Sequence, residues 1–280
     1  MTWTIVLAGG SGSRLAEVNR RRFGHARPKQ YCDYDGNGTL LDRALQRARA
    51  WSRPSETVVV IAEAHGAHAD EVLGGYPEVV RVEQPVDRGT APGILLPLLR
   101  VIEADPRASV VLVPSDHHVA DEAVFARAVR DAVEKVERRG SNIVLIGADA
   151  EPEGDGYGWI LPNATGGVHS FHEKPHPGVV SELQEKGALI NTFVIAARAS
   201  ALADALADLA PHWWHALSDG HRDAGWVGAV YDSLPAIDFS RDVLQRAPER
   251  LCLVSLPAAA GWSDVGTPER LFSAMGRIEG

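Results

Sequence analysis

Apolar residues fall along the first half of the chain in short runs separated by longer segments of helical spacing. Ile5-Val6-Leu7 forms the first run, followed by Thr57 to Ile61, Val79 to Val82, Ser109 to Val113 and Ile143 to Ile146. Continuous β-branched runs of this length mark strands buried on both faces of a sheet, and Ser109 to Val113 is the clearest of them. Between the runs, Leu40, Leu41, Ala44, Leu45, Ala48 and Trp51 recur at helical spacing, as do Pro92, Ile94, Leu95, Leu98, Leu99 and Ile102. Phe125, Ala128, Val129, Ala132 and Val136 line one face of a further helix, and Ala67 to Leu73 reads as a shorter one. Strands alternating with helices predict an α/β fold with a doubly wound, mostly parallel sheet.

The pattern changes after the fifth strand. Gly156 to Pro162 and Val168 to Lys174 read as a strand pair around the turn Asn163 to Gly167, so a smaller β-rich lobe is expected to pack on the sheet. Val179 to Glu185 is weakly helical and Leu189 to Ala196 returns as a strand; Ala201 to Leu209 and the stretch through His212 and His215 read as helices. A last strand spans Leu251 to Leu256, before a loop at Gly261 to Thr267 and a terminal helix from Pro268. With no internal repeat and no linker, residues 1–280 are expected to form a single domain, divided into halves at about residue 150.

The first strand runs into Ala8-Gly9-Gly10-Ser11-Gly12-Ser13-Arg14-Leu15, a sequence suited to cradling a polyphosphate. Glycines let backbone N–H groups approach an anion, and a helix starting near Arg14 adds a positive dipole end, with Arg14 and Lys29 supplying full charges. The loop is not a Walker loop, since no Gly-Lys-Ser/Thr occurs, and the dinucleotide fingerprint that begins at Gly10 and Gly12 meets Leu15 where its third glycine belongs. Arg20, Arg21, Arg22, His25, Arg27 and Lys29 fall within ten positions, a basic cluster expected at least partly to serve the same ligand, with a solvated loop as the alternative.

Ligands of open parallel sheets bind beyond the carboxyl ends of the strands. Asp116 ends the most buried run there, and Asp264 follows the last strand. Converging, they could hold one Mg²⁺, which takes one or two protein carboxylates and fills its remaining positions with phosphate oxygens and water; as capping or turn acids they would have no such role. His117 and His118 lack a second ligand pair, and His212 and His215 flank tryptophans, so zinc is not expected.

Composition narrows the classes further. A net charge of −9, from 37 acidic and 28 basic residues, argues against broad nucleic-acid or anionic-membrane binding. Two cysteines, Cys32 and Cys252, are too few for a disulfide framework in a chain of 280 residues. No signal-peptide pattern follows Met1 and no apolar run approaches the ~20 residues of a membrane span, so a cytoplasmic protein is expected.

Together the motifs carry a resemblance. The glycine loop with Arg27-Pro28-Lys29-Gln30-Tyr31, then Asp87-Arg88-Gly89-Thr90-Ala91-Pro92, Pro114-Ser115-Asp116-His117, Gly156-Tyr157-Gly158-Trp159-Ile160, Phe171-His172-Glu173-Lys174-Pro175, Asn191-Thr192-Phe193 and Trp262-Ser263-Asp264-Val265-Gly266 follow the order seen in sugar-1-phosphate nucleotidyltransferases. The chain resembles the mannose-1-phosphate guanylyltransferase branch most, through Pro28 to Tyr31, Thr90 to Pro92 and Asp116-His117. The resemblance implies a Rossmann-like, mixed sheet and transfer of a nucleotidyl group from a nucleoside triphosphate, GTP favoured, to a hexose 1-phosphate, mannose 1-phosphate favoured. Another base, another phosphate or phosphonate acceptor, and a non-catalytic nucleotide-sugar-binding homologue are the alternatives.

By the same resemblance, Leu7, Ala8, Gly9, Gly10, Gly12, Ser13, Gln84, Gly89 and Thr90 would bind the nucleotide, with Arg14 and Lys29 on its triphosphate. Asp116 and Asp264 would ligate Mg²⁺; Gly158, Glu173 and Asn191 would contact the sugar, and Lys174 its phosphate. It further implies a homodimer and a monofunctional core without the domain some relatives append. The chain departs from the family at three places: Ser13 replaces a common threonine, Gly89 a common asparagine, and Thr192-Phe193 a common Ser-Gly. Its Ala16 to Ala26 segment also differs from the usual continuation and is expected to bring extra basic charge over the site.

Overall fold

The computed structural model describes residues 1–140, 142–149 and 156–275, so the division expected near residue 150 lies outside the described residues. Among the described residues, nine strands form one sheet: β1 (Thr2–Ala8), β2 (Thr57–Ala62), β3 (Val80–Gln84), β4 (Ser109–Pro114), β5 (Ile143–Ala148), β6 (Gly158–Pro162), β7 (Val168–Glu173), β8 (Leu189–Arg198) and β9 (Leu251–Leu256). The order is β3-β2-β1-β4-β8-β5-β9, and the β6–β7 hairpin joins through β8. β3, β2, β1 and β4 run parallel, as do β5 and β9; β8 is antiparallel to both of its central neighbours. The fold is thus the mixed, mostly parallel α/β sheet that the apolar runs predict, with the hairpin as its smaller β-rich extension.

Strand periodicity divides the core into two layers. Ile5, Val58, Val60, Val110, Leu112, Leu145 and Ile195 face one side, where they pack against α4 (Thr90–Ala104), α7 (Ala199–Leu209), α8 (Pro211–Ser218) and α9 (Ala224–Ser233). Their neighbours Val6, Val59, Ile61, Val111, Val113, Val144 and Ile146 face the other, under α2 (Leu40–Ala48), α3 (Gly66–Leu73) and α5 (Glu122–Arg139). Every residue of β2, β4 and β5 is buried, which is why these strands read as unbroken apolar runs. A separate cluster of Leu15, Cys32, Tyr34, Leu40, Val265 and Leu271 ties the glycine loop to α10 (Pro268–Met275), the last described helix. Both cysteines are buried and neither is in a disulfide. Among the described residues no helix is long and apolar enough to cross a membrane.

Two elements escape the periodic pattern. The basic segment after the glycine loop folds as a one-turn 3-10 helix, Ser13–Leu15, continued by α1 (Ala16–Phe23). A π-helix, Phe239–Leu244, precedes β9, begun by Asp238, whose carboxylate accepts the Arg241 N–H at 3.0 Å; such helices are rare and concentrate near functional sites.

The loop from Ser115 to Ala120 leaves β4 and enters α5 under two constraints. Ala120 and Asp121 donate their N–H groups to Ala260, while the Asp121 side chain accepts from Ala123 and Val124, each at 3.0 Å. Asp121→Ala should therefore lower stability by about 1 kcal/mol, read as a reduced urea midpoint at unchanged m-value.

Candidate active site

β1 and β4 are adjacent and parallel, so their carboxyl ends deliver the glycine loop and Asp116 to the same edge. Between them and the Asp264 loop lies a polar cavity of about 250 Å³ lined by Gly12, Ser13, Arg14, Lys29, Asp116, His117 and Asp264, among others. A second cavity of about 320 Å³ adjoins it, with Leu7, Gly9, Gly10, Gln84, Gly89 and Thr90 in its wall together with Phe193 and Asp238. Asp116 and His117 border both, so they form the partition.

Lys29 is the hub of the first cavity. Its ammonium lies 3.2 Å from Asp116 Oδ2 and donates to the carbonyls of Asp264 at 2.8 Å and Val265 at 3.1 Å. Burial pushes the Asp116 carboxyl up, but the charge of Lys29, with His117 beside it, outweighs that and holds it below the usual carboxylate range. Burial drives the His117 imidazole down to about 4, so it is neutral at physiological pH. The Trp262 indole N–H donates to His117 Nδ1 at 3.2 Å, which fixes the proton on Nε2, 3.8 Å from Asp116 Oδ1.

The Asp264 carboxylate is also paired. Arg270 of α10 places Nη1 2.9 Å from Oδ2 and 3.1 Å from Oδ1, and the Gly266 N–H donates to Oδ1 at 3.1 Å. The Arg270 side chain is only 1% exposed and its guanidinium sits 4.0 Å from the centre of the Tyr157 ring. Among the described residues no cluster of three or more metal-ligating side chains occurs. The donor set of hard oxygens at Asp116 nonetheless suits Mg²⁺, which needs few protein ligands when phosphate oxygens complete its shell.

The wall of the second cavity is held by close backbone approaches. A Cβ at Gly9 would collide with the Gln84 carboxamide, whose Oε1 is buried without a hydrogen-bond partner. Gly89 has φ +85°, and a Cβ there would overlap the Ile237 carbonyl, which accepts from Ala91 N–H at 3.1 Å. Glycine at this departure from the family pattern is thus a requirement of the segment packed against it at residues 237–239, where Phe239 N–H donates to Thr90 Oγ1 at 2.7 Å. Gln30, buried behind the loop, donates to the carbonyls of Ala8 and Gly10 at 2.9 and 2.8 Å. Ala8 is absent from both cavity walls: its side chain is fully buried and its carbonyl accepts from Gln30.

The residues expected to hold the sugar phosphate also meet. A Cβ at Gly158 would lie 2.8 Å from Glu173 Oε2 and 3.3 Å from the Asn191 Cβ, so the three share one spot at the β6, β7 and β8 ends. Lys174 places its ammonium 2.9 Å from Glu173 Oε1. Among the described residues, three that are not glycine have positive φ: Lys174 (47°), Phe193 (57°) and Val265 (47°). Lys174 and Val265 directly follow Glu173 and Asp264, and Phe193 lies two residues after Asn191. Bulky residues in that conformation store strain, which gathers at functional sites. Phe193 reaches it through an irregularity of β8 in which the register jumps from Ile146↔Val194 to Gly147↔Asn191. Thr192 stabilises that bulge by donating to the Ile146 carbonyl at 2.6 Å, and Phe193 N–H donates to Asn191 Oδ1 at 3.1 Å.

Of the basic cluster, Lys29 lines the polar cavity. Neither cavity wall contains Arg20, Arg21, Arg22, His25 or Arg27. Arg20 and Arg21 pair with Glu17 on the surface of α1, Arg22 donates to the Tyr34 carbonyl at 2.7 Å, and Arg27 pairs with Glu71. Sequence reasoning assigned no role to Arg270 or Asp238, and Gln30, Trp262 and Phe193 entered it only within motifs, Phe193 as a departure from the family pattern. Arg270 could have been noticed as a basic residue on the buried side of a short helix; the others had no signal in spacing.

The chain belongs to the nucleotidyl transferase family, whose model matches residues 3–279. It is 30% identical over 284 aligned residues to the alginate biosynthesis protein AlgA of Pseudomonas syringae pv. tomato, covering 94% of this chain and 56% of that protein. It is 27% identical to the mannose-1-phosphate guanylyltransferase RfbM of Salmonella typhimurium, covering 96% and 57% respectively. The chain therefore spans about half the length of the curated relatives it matches. Among solved structures, one described as a mannose-1-phosphate geranyltransferase from Thermus thermophilus superposes with a TM-score of 0.85 at 25% identity, over 99% of this chain and 79% of that one.

Two outcomes follow from this geometry. Gly89→Ala should cost about 1–3 kcal/mol in urea unfolding, because the left-handed backbone and the Ile237 carbonyl both exclude a side chain. His65 and His68 pack against Tyr31 behind the glycine loop, each with a buried, unpartnered Nδ1. Burial lowers both below the ordinary 6.5, assisted by His68 acting on His65 and by Arg27 acting on His68, while Glu71 opposes the shift at His68. The unfolded chain then takes up protons first as pH falls, so stability present in full above 6.5 declines below it. The His65→Gln/His68→Gln double variant should lose less stability than the parent between about pH 7 and pH 5, measured by urea titration at each pH.

Proposed function

We propose that this protein transfers a nucleotidyl group from a nucleoside triphosphate to a hexose 1-phosphate, releasing pyrophosphate. The observation that carries this reading is the pair of cavities divided by Asp116: a polar one with Arg14 and Lys29 at the glycine loop, and an adjoining one walled by Gln84. Triphosphate and nucleoside fit these in turn. The acceptor would approach from the meeting point of Gly158, Glu173 and Asn191, where its phosphate could draw Lys174 from Glu173.

The chemistry requires no dedicated base. A sugar phosphate loses its second proton with a pKa near ~6, so its oxygen is mostly ionised at neutral pH and can attack the α-phosphorus directly. What remains is to bring two polyanions into line. Arg14 and Lys29 would offset the triphosphate charge, and Lys174 that of the acceptor, as negative charge builds on the departing pyrophosphate. Bound at Asp116, Mg²⁺ would add Lewis-acid stabilisation of the phosphate oxygens. Neutral His117, locked by Trp262, would orient Asp116 rather than shuttle a proton.

GTP and mannose 1-phosphate are the favoured pair. The relative RfbM is named a mannose-1-phosphate guanylyltransferase. The nucleoside cavity is rich in acceptors, with the unpartnered Gln84 Oε1 and the carboxylates of Asp87 and Asp238 in its wall. Guanine presents N–H donors at its ring N1 and its 2-amino group, side by side on one edge, which suits such a wall. Phe193, where relatives commonly carry glycine, is the residue best placed to alter the acceptor range.

A matrix of nucleoside triphosphates against sugar 1-phosphates, read by product mass and pyrophosphate release, tests the reading. GTP with mannose 1-phosphate should give the highest kcat/KM, and chelation with EDTA should abolish turnover. Release from no pair would overturn the proposal. Lys29→Ala and Asp116→Asn should each lower kcat/KM by about a hundredfold or more while leaving the fold intact by circular dichroism.

A further inference from the structure

We propose that Arg270 is a positioning residue that holds the Asp264 carboxylate away from the cation in the nucleotide-free protein, leaving Asp116 as the carboxylate that a divalent ion meets first. The inference rests on the proposed function only in taking that ion to be the partner of a nucleotide.

The argument starts from burial. A guanidinium that is 1% exposed has lost its water and needs a counter-charge, and Asp264 supplies it through both oxygens at 2.9 and 3.1 Å. The Tyr157 ring, 4.0 Å from the guanidinium carbon, adds cation–π attraction and fixes the plane of the group. Tyr157 is itself packed on Trp262, which stands two residues before Asp264. The carboxylate is pinned from its own side as well, since Gly266 N–H donates to Oδ1 at 3.1 Å and Val265 follows in a strained left-handed conformation. Asp264 is therefore a preset group rather than a free ligand.

Charge in the cavity points the same way. Its two acids, Asp116 and Asp264, each face a cation: Lys29 at 3.2 Å and Arg270 at 2.9 Å. A divalent ion bridging both acids would add two positive charges beside two existing ones without any compensating anion. Triphosphate would bring that anion. Ion binding to the protein alone should accordingly be weak, and the strength of that coupling should depend on Arg270.

Mn²⁺, titrated without any substrate and followed by the loss of its free-ion electron paramagnetic resonance signal, tests this. Arg270→Gln, which keeps a planar polar group but removes the charge, should bind Mn²⁺ at least about tenfold more tightly than the parent. Adding Asp264→Asn to that variant should erase the gain, and Arg270→Lys should behave like the parent. In the parent background, Asp264→Asn should change Mn²⁺ affinity by less than about threefold, whereas Asp116→Asn should abolish binding. A natively folded Arg270→Gln protein with unchanged or weaker affinity would overturn the proposal. So would a tenfold loss in Asp264→Asn alone, an outcome that stands even if the Arg270 variants fail to fold. No arm uses a nucleotide or sugar, so failure of the substrate matrix leaves these results independent.

Discussion

One ammonium group joins the three parts of the site. Lys29 comes from the segment after the glycine loop, Asp116 from the end of β4 and the Asp264-Val265 carbonyls from a loop more than two hundred residues further on. A half-buried lysine with three oxygen partners is stable only while all of them are in place, since losing one leaves a desolvated charge. The cavity thus depends on a tertiary knot at its floor. The order of its parts along the chain matters less than their convergence on one nitrogen.

That knot explains why some of the site was legible in the sequence and some was not. The glycine loop, Asp116 and the strand that precedes it are local: a buried apolar run ended by a turn can be read from neighbours alone. The sheet followed from unbroken runs such as Val110 to Val113, and the structure places their alternate residues in two core layers. The Arg270–Asp264 pair, the indole bond that sets the His117 tautomer and the carboxamide wedge of Gln84 depend on side chains meeting across the fold. Periodicity carries no trace of them.

The basic run after the glycine loop finds its partners only in the fold. Clustered in sequence, Arg20 and Arg21 share Glu17, Arg22 of the same helix reaches the Tyr34 carbonyl, and Arg27, beyond α1, pairs with Glu71. Phe193, a departure from the family pattern in sequence, gains a physical setting in the structure: a positive φ at a bulge, in the wall of the second cavity.

The reversed direction of β8 has a consequence for how such a site can diversify. In a purely parallel sheet every strand begins at the edge away from the ligand, so new contacts must be built in the loops that follow. Because β8 runs against β4 and β5, its opening residues Asn191, Thr192 and Phe193 arrive at the ligand edge while still within the strand. The edge of the site that these residues occupy is thereby written into a strand, with the precision of a ladder. The bulge at Thr192 then acts as a set-screw: changing two residues re-aims the pocket wall while the parallel strands keep their register.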